Sequence, residues 1–438
     1  MLKNLIVLVF ITTTSRNVIV HGESTSIPNH YFNVLDFGAK ADRTTDNTEA
    51  FSKAILNASS ISGGVVYAPP GFYVFNGHLN IPSGVTLKGS YHSVPSHDLR
   101  NGPPQHDGTF LVPREGRGDA SKEPFLHVGA NAAVASLVIY YDQQETVQLP
   151  VPYPWTILMD GNNAAVTDVE LLGSWRGINA TGAGRHYIAR VQGQPIDLGV
   201  FVDQTYDIGR MENIHFNPWF SSSQPFMSYQ LTYGRAFVLG RSDWEYVFNT
   251  FSFGYSIGYH FIETSTGSMN GNFLGLGADL AVNASVRVDA SQQAGLLITN
   301  GEFTAFHDKT WLPIDTSVES SQVVVTKDNA GPVKFVDSSF WGPTSQIALI
   351  DGTGTVTFDS CEFVEWDEQA GDGRAALRVL GSGSLILNGN HFNQNKKQVE
   401  LGANAKRLVM IGNIFEGPQN ISVASNTTQL HVGYNAGA

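Results

Sequence analysis

The densest chemistry in this 438-residue chain lies between residues 203 and 302. The block Asp243-Trp244-Glu245-Tyr246 carries two carboxylates at i and i+2. On a strand that spacing puts both on one face, with Trp244 on the other. One repeat later come Asp279 and Glu302, and one repeat earlier Asp207 and Glu212. Paired carboxyl groups are what glycosidic cleavage requires, about 5–5.5 Å apart for retention or about 6.5–9.5 Å for inversion. Charges avoid an apolar interior unless paired, so these acids are expected to point outward. Trp155, Trp219, Trp244 and Tyr246 supply flat faces on which sugar rings stack. Arg210 and His215 suggest a second chemistry, in which a base takes the α-proton of a uronate and a cation neutralises its carboxylate. Each residue also has a plainer reading: acids solvate surfaces and aromatics fill cores. His186, His215 and His260 all suit hydrogen-bonded structural histidines. It is the clustering that marks the stretch as the place for a site.

Other chemistries find less support. Asp203 and Asp207 would offer calcium two oxygen ligands, but two acids four residues apart are a weak signal, and no His-x-x-x-His spacing occurs. Hydrolysis by carboxylates needs no cofactor; calcium enters only for elimination. There is no Gly-x-Ser-x-Gly elbow, phosphate-cradling loop or dinucleotide fingerprint. The net charge of −13, with no long basic run, argues against nucleic acid and fits a polyanion only through calcium or a local basic patch. Cys361 is the single cysteine, so no disulfide framework exists. The start Met1-Leu2-Lys3-Asn4, the apolar run Leu5 to Ile11 and the polar stretch to Gly22 read as a secretory signal over residues 1–22. Five Asn-x-Ser/Thr sequons, at Asn57, Asn179, Asn283, Asn420 and Asn426, agree with export and glycosylation. No later apolar run is long enough to span a bilayer, so no membrane partner is expected.

The elements that must position these residues are short strands. Only 15% of the chain is charged, while 45 Gly and 19 Pro punctuate it. One helix is expected near the start, with Ala50, Phe51, Ala54, Ile55 and Ala58 on one face, capped by Asp46, Asn47 or Thr48 and stopped at Gly63-Gly64. Residues 92–125, crowded with Pro, His, Arg and Gly, read as a loop-rich insertion. In the second half a polar turn followed by Phe recurs at Phe273, Phe303, Phe340, Phe363, Phe392 and Phe415. Repeats of about 20–40 residues built on short strands mean stacked coils. Asn and Gly suit the corners, Asn side chains can bond from coil to coil, and the Phe rings should stack inside.

Residues 34–89 then carry a resemblance. Val34-Leu35-Asp36-Phe37-Gly38-Ala39, Thr45-Asp46-Asn47-Thr48-Glu49-Ala50-Phe51 and Gly63-Gly64-Val65-Val66-Tyr67-Ala68-Pro69-Pro70-Gly71 closely resemble the opening of pectate-lyase-superfamily β-helix proteins. More narrowly they look like the rhamnogalacturonase/epimerase-like group, which is similar to polygalacturonase-family hydrolases. Arg43 stands where that family usually has Gly, and Asn47 where a second Asp is common. The polygalacturonase catalytic pattern is missing: no Asn-Thr-Asp, no Asp-Asp after Gly, no Gly-His-Gly and no Arg-Ile-Lys. The resemblance therefore implies architecture and a glycan substrate, and it assigns no active site.

The expectation is one right-handed parallel β-helix over residues 30–435, capped at its N-terminal end by the helix near residue 50. Its function is expected to be secreted, polysaccharide-cleaving glycoside hydrolysis. The alternatives are a polyuronate lyase and a non-catalytic glycan-binding β-helix. Such a coil is compatible with a monomer or a homotrimer.

Overall fold

The computed structural model describes residues 30–105, 107–312, 319–424 and 429–437. The expected signal segment and Asn426 lie outside them. Of the other sequons, Asn57 and Asn420 are exposed, and Asn179 and Asn283 are half-buried. The named strands stack in parallel into a β-helix with three faces. Sheet B has thirteen strands, from Leu79–Ile81 to Ile421–Val423. Sheet A runs from Tyr31–Asn33 to Gln429–Gly433. Sheet C follows A in each coil and ends at Ala436–Gly437.

In the middle coils sheets A and C are one strand with a bend. Ala133–Tyr140, Ala165–Leu172, Tyr187–Gly193, Arg210–Phe216 and Glu245–Phe253 each turn the corner through one left-handed residue: Ser136, Asp168, Arg190, Asn213 and Asn249, with φ between 52° and 65°. One such residue bends a strand without ending it, as a bulge does. From residue 296 onward the corner breaks the strand in two, as at Leu296–Thr299 and Glu302–Ala305.

Helix α1 (Thr48–Ser60) covers the first coil with Phe51, Ala54, Ile55 and Ala58, all buried. Phe51 meets Tyr73 and Phe75 edge-on, with ring centroids 5.2 and 4.9 Å apart. Asp46 starts the helix by accepting from the Thr48 amide at 3.0 Å. Asn47 instead turns inward to bond the Lys40 amide at 2.7 Å. This cap shields the end of the coil from edge pairing.

The aromatic repeat is a ladder. Phe303, Phe340, Phe363, Phe392 and Phe415 occupy one register position on successive coils of sheet C, buried throughout. Phe273 departs from the expected series: it stacks in sheet A above Ile298 and Phe335. Asn side chains run beside the ladder. Asn413 accepts from the amide of Asn390 at 2.9 Å, and Asn435 from that of Asn413 at 2.9 Å. Residues 92–125 are not wholly loop, because Thr109–Pro113 is a fully buried sheet-C strand, paired with Gly71–Phe75. Its run Thr-Phe-Leu-Val-Pro is a short apolar strand set between two Gly- and Pro-rich loops.

A second helix, α2 (Gln224–Tyr233), lies between strands Arg210–Phe216 and Arg235–Leu239 and buries Phe226, Met227 and Leu231. No helix among the described residues is long and apolar enough to cross a membrane.

Candidate functional site

The coil scatters the acids and aromatics that the sequence groups together. Glu245 does not share a face with Asp243. Trp244 adopts φ 58°, and this left-handed reversal starts the strand at Glu245 with its side chain turned inward. Glu245 is fully buried, 3.0 Å from His186 Nε2, and accepts from Ser242 Oγ at 2.6 Å. Burial works against the His186 cation, but the charge and hydrogen bond of Glu245 outweigh it and hold the imidazole above its ordinary pKa. Asp243 stays at the corner between sheets B and A, bonded to Arg241 and Gln292 at 2.8 Å each.

The other expected residues divide among the faces. Arg210 and Tyr246 are register neighbours on the outer face of sheet A, as are Glu212 and Phe248. Glu212 accepts from the Tyr187 hydroxyl, and Asp207 pairs with Arg185 at a corner. Trp244 and Tyr246 are both exposed. His215, Trp219, Asp279 and Glu302 lie on the side of sheet C. There Trp219 packs on His215 with centroids 4.8 Å apart, burial lowers the His215 pKa, and Asp279 accepts from Thr304 at 2.8 Å. Trp155 is on sheet B, with the Arg176 guanidinium 5.8 Å from its ring centroid. Three separate faces hold these side chains, so they do not form one constellation.

Titratable groups do converge on the outer face of sheet B. His260, Arg287, Val324, Leu349 and Arg378 occupy one outward column on successive strands. Just beyond the strands, at the first corner position, stand Ile262, Asp289, Thr326 and Asp351. Their equivalence follows from the register of Phe261, Val288, Val325 and Ile350, and from the amides of Asp289, Thr326 and Asp351, each bonded to the coil before. Together with Glu263, Lys327 and Asp328 they surround an open cavity of about 660 Å³.

Asp289 is the most constrained member. It lies 2.7 Å from His260 Nε2 and accepts from Arg287 Nε at 2.9 Å. Burial alone would raise its pKa. The hydrogen bond and charge of His260, with Arg287, more than offset this and hold the carboxyl below its usual range. An ionised Asp289 can only accept, so Nε2 of His260 is the donor, and His260 Nδ1 is left buried with no partner among the described residues. Asp289 and Asp351 are two coils apart, about 9–10 Å between backbones at 4.7–4.9 Å per coil. Among the described residues no three His, Cys, Asp or Glu side chains come together as a metal site.

Sequence reasoning weighed His260 only as structural and passed over Asp289, Asp351 and Glu263. A signal was present: sheet-B runs end on polar residues in Val286-Arg287-Val288-Asp289, Val323-Val324-Val325-Thr326 and Ala348-Leu349-Ile350-Asp351.

Residues 31–115 match the family model described as Rhamnogalacturonase A/epimerase, pectate lyase-like. A 46-residue stretch is 50% identical to Alginate lyase 7 of Azotobacter vinelandii, covering 10% of this chain and only 5% of that protein. Among solved structures, the A-module of mannuronan C-5 epimerase AlgE6 from Azotobacter vinelandii superposes with a TM-score of 0.50 at 14% identity, over 93% of this chain and 99% of that one. The catalytic unit of the GH87 α-1,3-glucanase from Streptomyces thermodiastaticus gives 0.53 at 14% identity, over 94% and 69%. The pre-mature gene product 12 of bacteriophage phi29 gives 0.54 at 13% identity, over 91% and 56%. At such identities the likeness is one of fold. The chain is therefore a parallel β-helix protein whose opening coils match a pectate-lyase-like family model.

Proposed function

We propose that the chain is a secreted carbohydrate-active enzyme that hydrolyses glycosidic bonds of a polysaccharide in the sheet-B cleft. The observation that carries this reading is the placement of Asp289 and Asp351, two coils apart, on one open cavity. Their backbone separation is close to the window of about 6.5–9.5 Å that lets a water stand between sugar and base, which favours inversion. Asp289, kept ionised by His260 and Arg287, takes a proton from the water that attacks the anomeric carbon. Asp351 gives its proton to the glycosidic oxygen as that bond breaks, and Glu263 lines the same cavity. Two similar folds, a mannuronan epimerase and an α-1,3-glucanase, support a polysaccharide as substrate. The carboxylate pair needs no cofactor.

One observation favours a second reading. Arg287 and Lys327 both face the cavity and could neutralise a uronate carboxylate while Asp289 removes the adjacent proton, with calcium as an added bridge. A panel of neutral and acidic polysaccharides, followed by reducing ends and by absorbance of unsaturated products, separates the two. Hydrolysis predicts new reducing ends without that absorbance and no loss of rate with chelator; unsaturated products and calcium dependence would replace it with elimination. On the responding substrate, Asp289→Asn should lower the rate at least about a hundredfold. Because Asp289 is held below the ordinary carboxylate pKa, the acidic limb of the rate profile should fall only below that ordinary range.

A further inference from the structure

Sheet A bears a second concavity, of about 820 Å³, on a different face from the sheet-B cleft. Two outward columns form its floor. One gives Val65 and Thr86, and the other Tyr67, Lys88, Ala135 and Thr167, on successive coils. Alanine is depleted in strands, where larger side chains pack better on the pleat. A run of small residues on an outward face leaves the backbone open to close approach.

Tall side chains close the floor at both ends. Tyr31 and Tyr67 stand at one, their ring centroids 5.3 Å apart, and Asp168 and Arg190 at the other. The segment from Gly89 to Ser93 rises as a side wall, tied down through the Gly89 amide on Ala135 O and the Tyr91 amide on Ser136 O. Further along, Val94 O accepts from Gln192 and the His97 amide bonds the buried Glu170 at 2.6 Å.

The trough also carries polar groups set for a ligand. Ser136 lines it and is only 6% exposed. Asp168 and Arg190 line it as a doubly bonded pair, both contacts 2.7 Å. Lys88 is exposed at the end beside Tyr67 and has no ion pair among the described residues.

We infer that this trough is a second, non-catalytic binding site, for a short acidic oligosaccharide. The methyl floor and the Tyr67 ring take the apolar faces of the sugars. Ser136 and the Asp168–Arg190 pair meet hydroxyls, and Lys88 meets a carboxylate. From Tyr67 to Arg190 the lining spans four coil steps, about 19 Å. The inference takes from the reading above only that the ligand is a saccharide.

Titration calorimetry with tetragalacturonate, and with maltotetraose as the neutral counterpart, tests it on the full chain. Tetragalacturonate should bind and maltotetraose should not. Ala135→Trp, which fills an outward position and leaves the core untouched, should weaken binding at least about tenfold, and Lys88→Ala by several-fold. Thr167→Trp serves as the second filling variant if Ala135→Trp does not fold. Asp289→Asn should bind as the wild type does, and Ala135→Trp should hydrolyse as the wild type does. No binding by the wild type, equal binding of both sugars, or full binding by both filling variants would overturn the trough and leave the sheet-B reading standing. Loss of binding in Asp289→Asn alone would place the sugar on sheet B and also overturn it.

Discussion

The coils after residue 296 and the coils between residues 133 and 281 solve the same packing problem differently. In the later coils the corner breaks the strand, and the interior is a stack of Phe rings beside a file of Asn side chains. In the earlier coils one left-handed residue bends an unbroken strand, and charged groups are taken inside: Glu245 with His186 in the tube, and Glu170 with His97 under the 89–105 segment. A buried ion pair contributes little net stability compared with well-packed apolar groups. The regular stack supplies cohesion, and the irregular half tolerates polar burial, insertions and the sheet-A trough. The sheet-B cleft sits at the junction, drawing Ile262 and Glu263 from the irregular coils, Asp351 from the regular ones, and Asp289 from between them.

The two largest stability effects expected should match in size and differ in their dependence on pH. Phe363→Ala removes a ring from the stack, with Phe340 and Phe392 at 5.6 and 4.8 Å, and should cost about 3–5 kcal/mol. His186→Ala strands the Glu245 carboxylate without its partner, at about 3–5 kcal/mol. The folded-state pKa of His186 is raised. Its stabilisation is therefore complete below the ordinary imidazole value and lost as pH rises through the raised one. Denaturant midpoints measured across that range should slope downward for wild type and Phe363→Ala, and His186→Ala should flatten the slope. Equal slopes in all three proteins would break the distinction between the two halves.

That contrast also explains what the sequence could disclose. Coil stacking forces equivalent positions to repeat, so Phe303 to Phe415 and the Asn file are visible as a pattern, as are the α1 face and the opening coils. What stayed hidden depends on contacts far apart in sequence or on the sign of one φ. Nothing local reveals that Trp244 is left-handed, and without that reversal Asp243 and Glu245 read as a pair. His186 lies 59 residues before the Glu245 it neutralises, so the inward carboxylate looked too costly. Asp289 and Asp351 become neighbours only once the coils are stacked in register.

A smaller effect is expected within the Asn file. Asn413→Ala removes the acceptor of the Asn390 amide and a donor to Leu387 O at 3.2 Å, both buried. The cost should be about 1–3 kcal/mol. It should be local, so hydrogen exchange should speed up at Asn390 and its neighbours while amides near His186 keep their protection. Uniform acceleration along the whole coil would mean that the two halves unfold as one unit.

The smallest effect concerns a place where the file is interrupted. Cys361 occupies the ladder position between Ser338 and Asn390: its amide donates to Asn390 Oδ1 at 2.9 Å, as Asn390's does to Asn413. Its thiol lies 3.6 Å from Phe335 O and 3.4 Å from Asp359 O, weak contacts where an asparagine would place a strong donor. Burial pushes the thiol up to about 12, so the native protein should not react with thiol reagents near neutral pH. In Cys361→Asn, the new amide would donate to Phe335 O as Asn390 Nδ2 does to Phe358 O at 2.9 Å, and its oxygen would accept from the Ser338 amide. One net hydrogen bond is worth about 1 kcal/mol, and the exchange of side chains adds little volume. The substitution should therefore raise the unfolding midpoint slightly, which denaturant titration can read. A clear loss of stability would show that the corner at residue 361 is shaped for sulfur and is not a gap in the asparagine file.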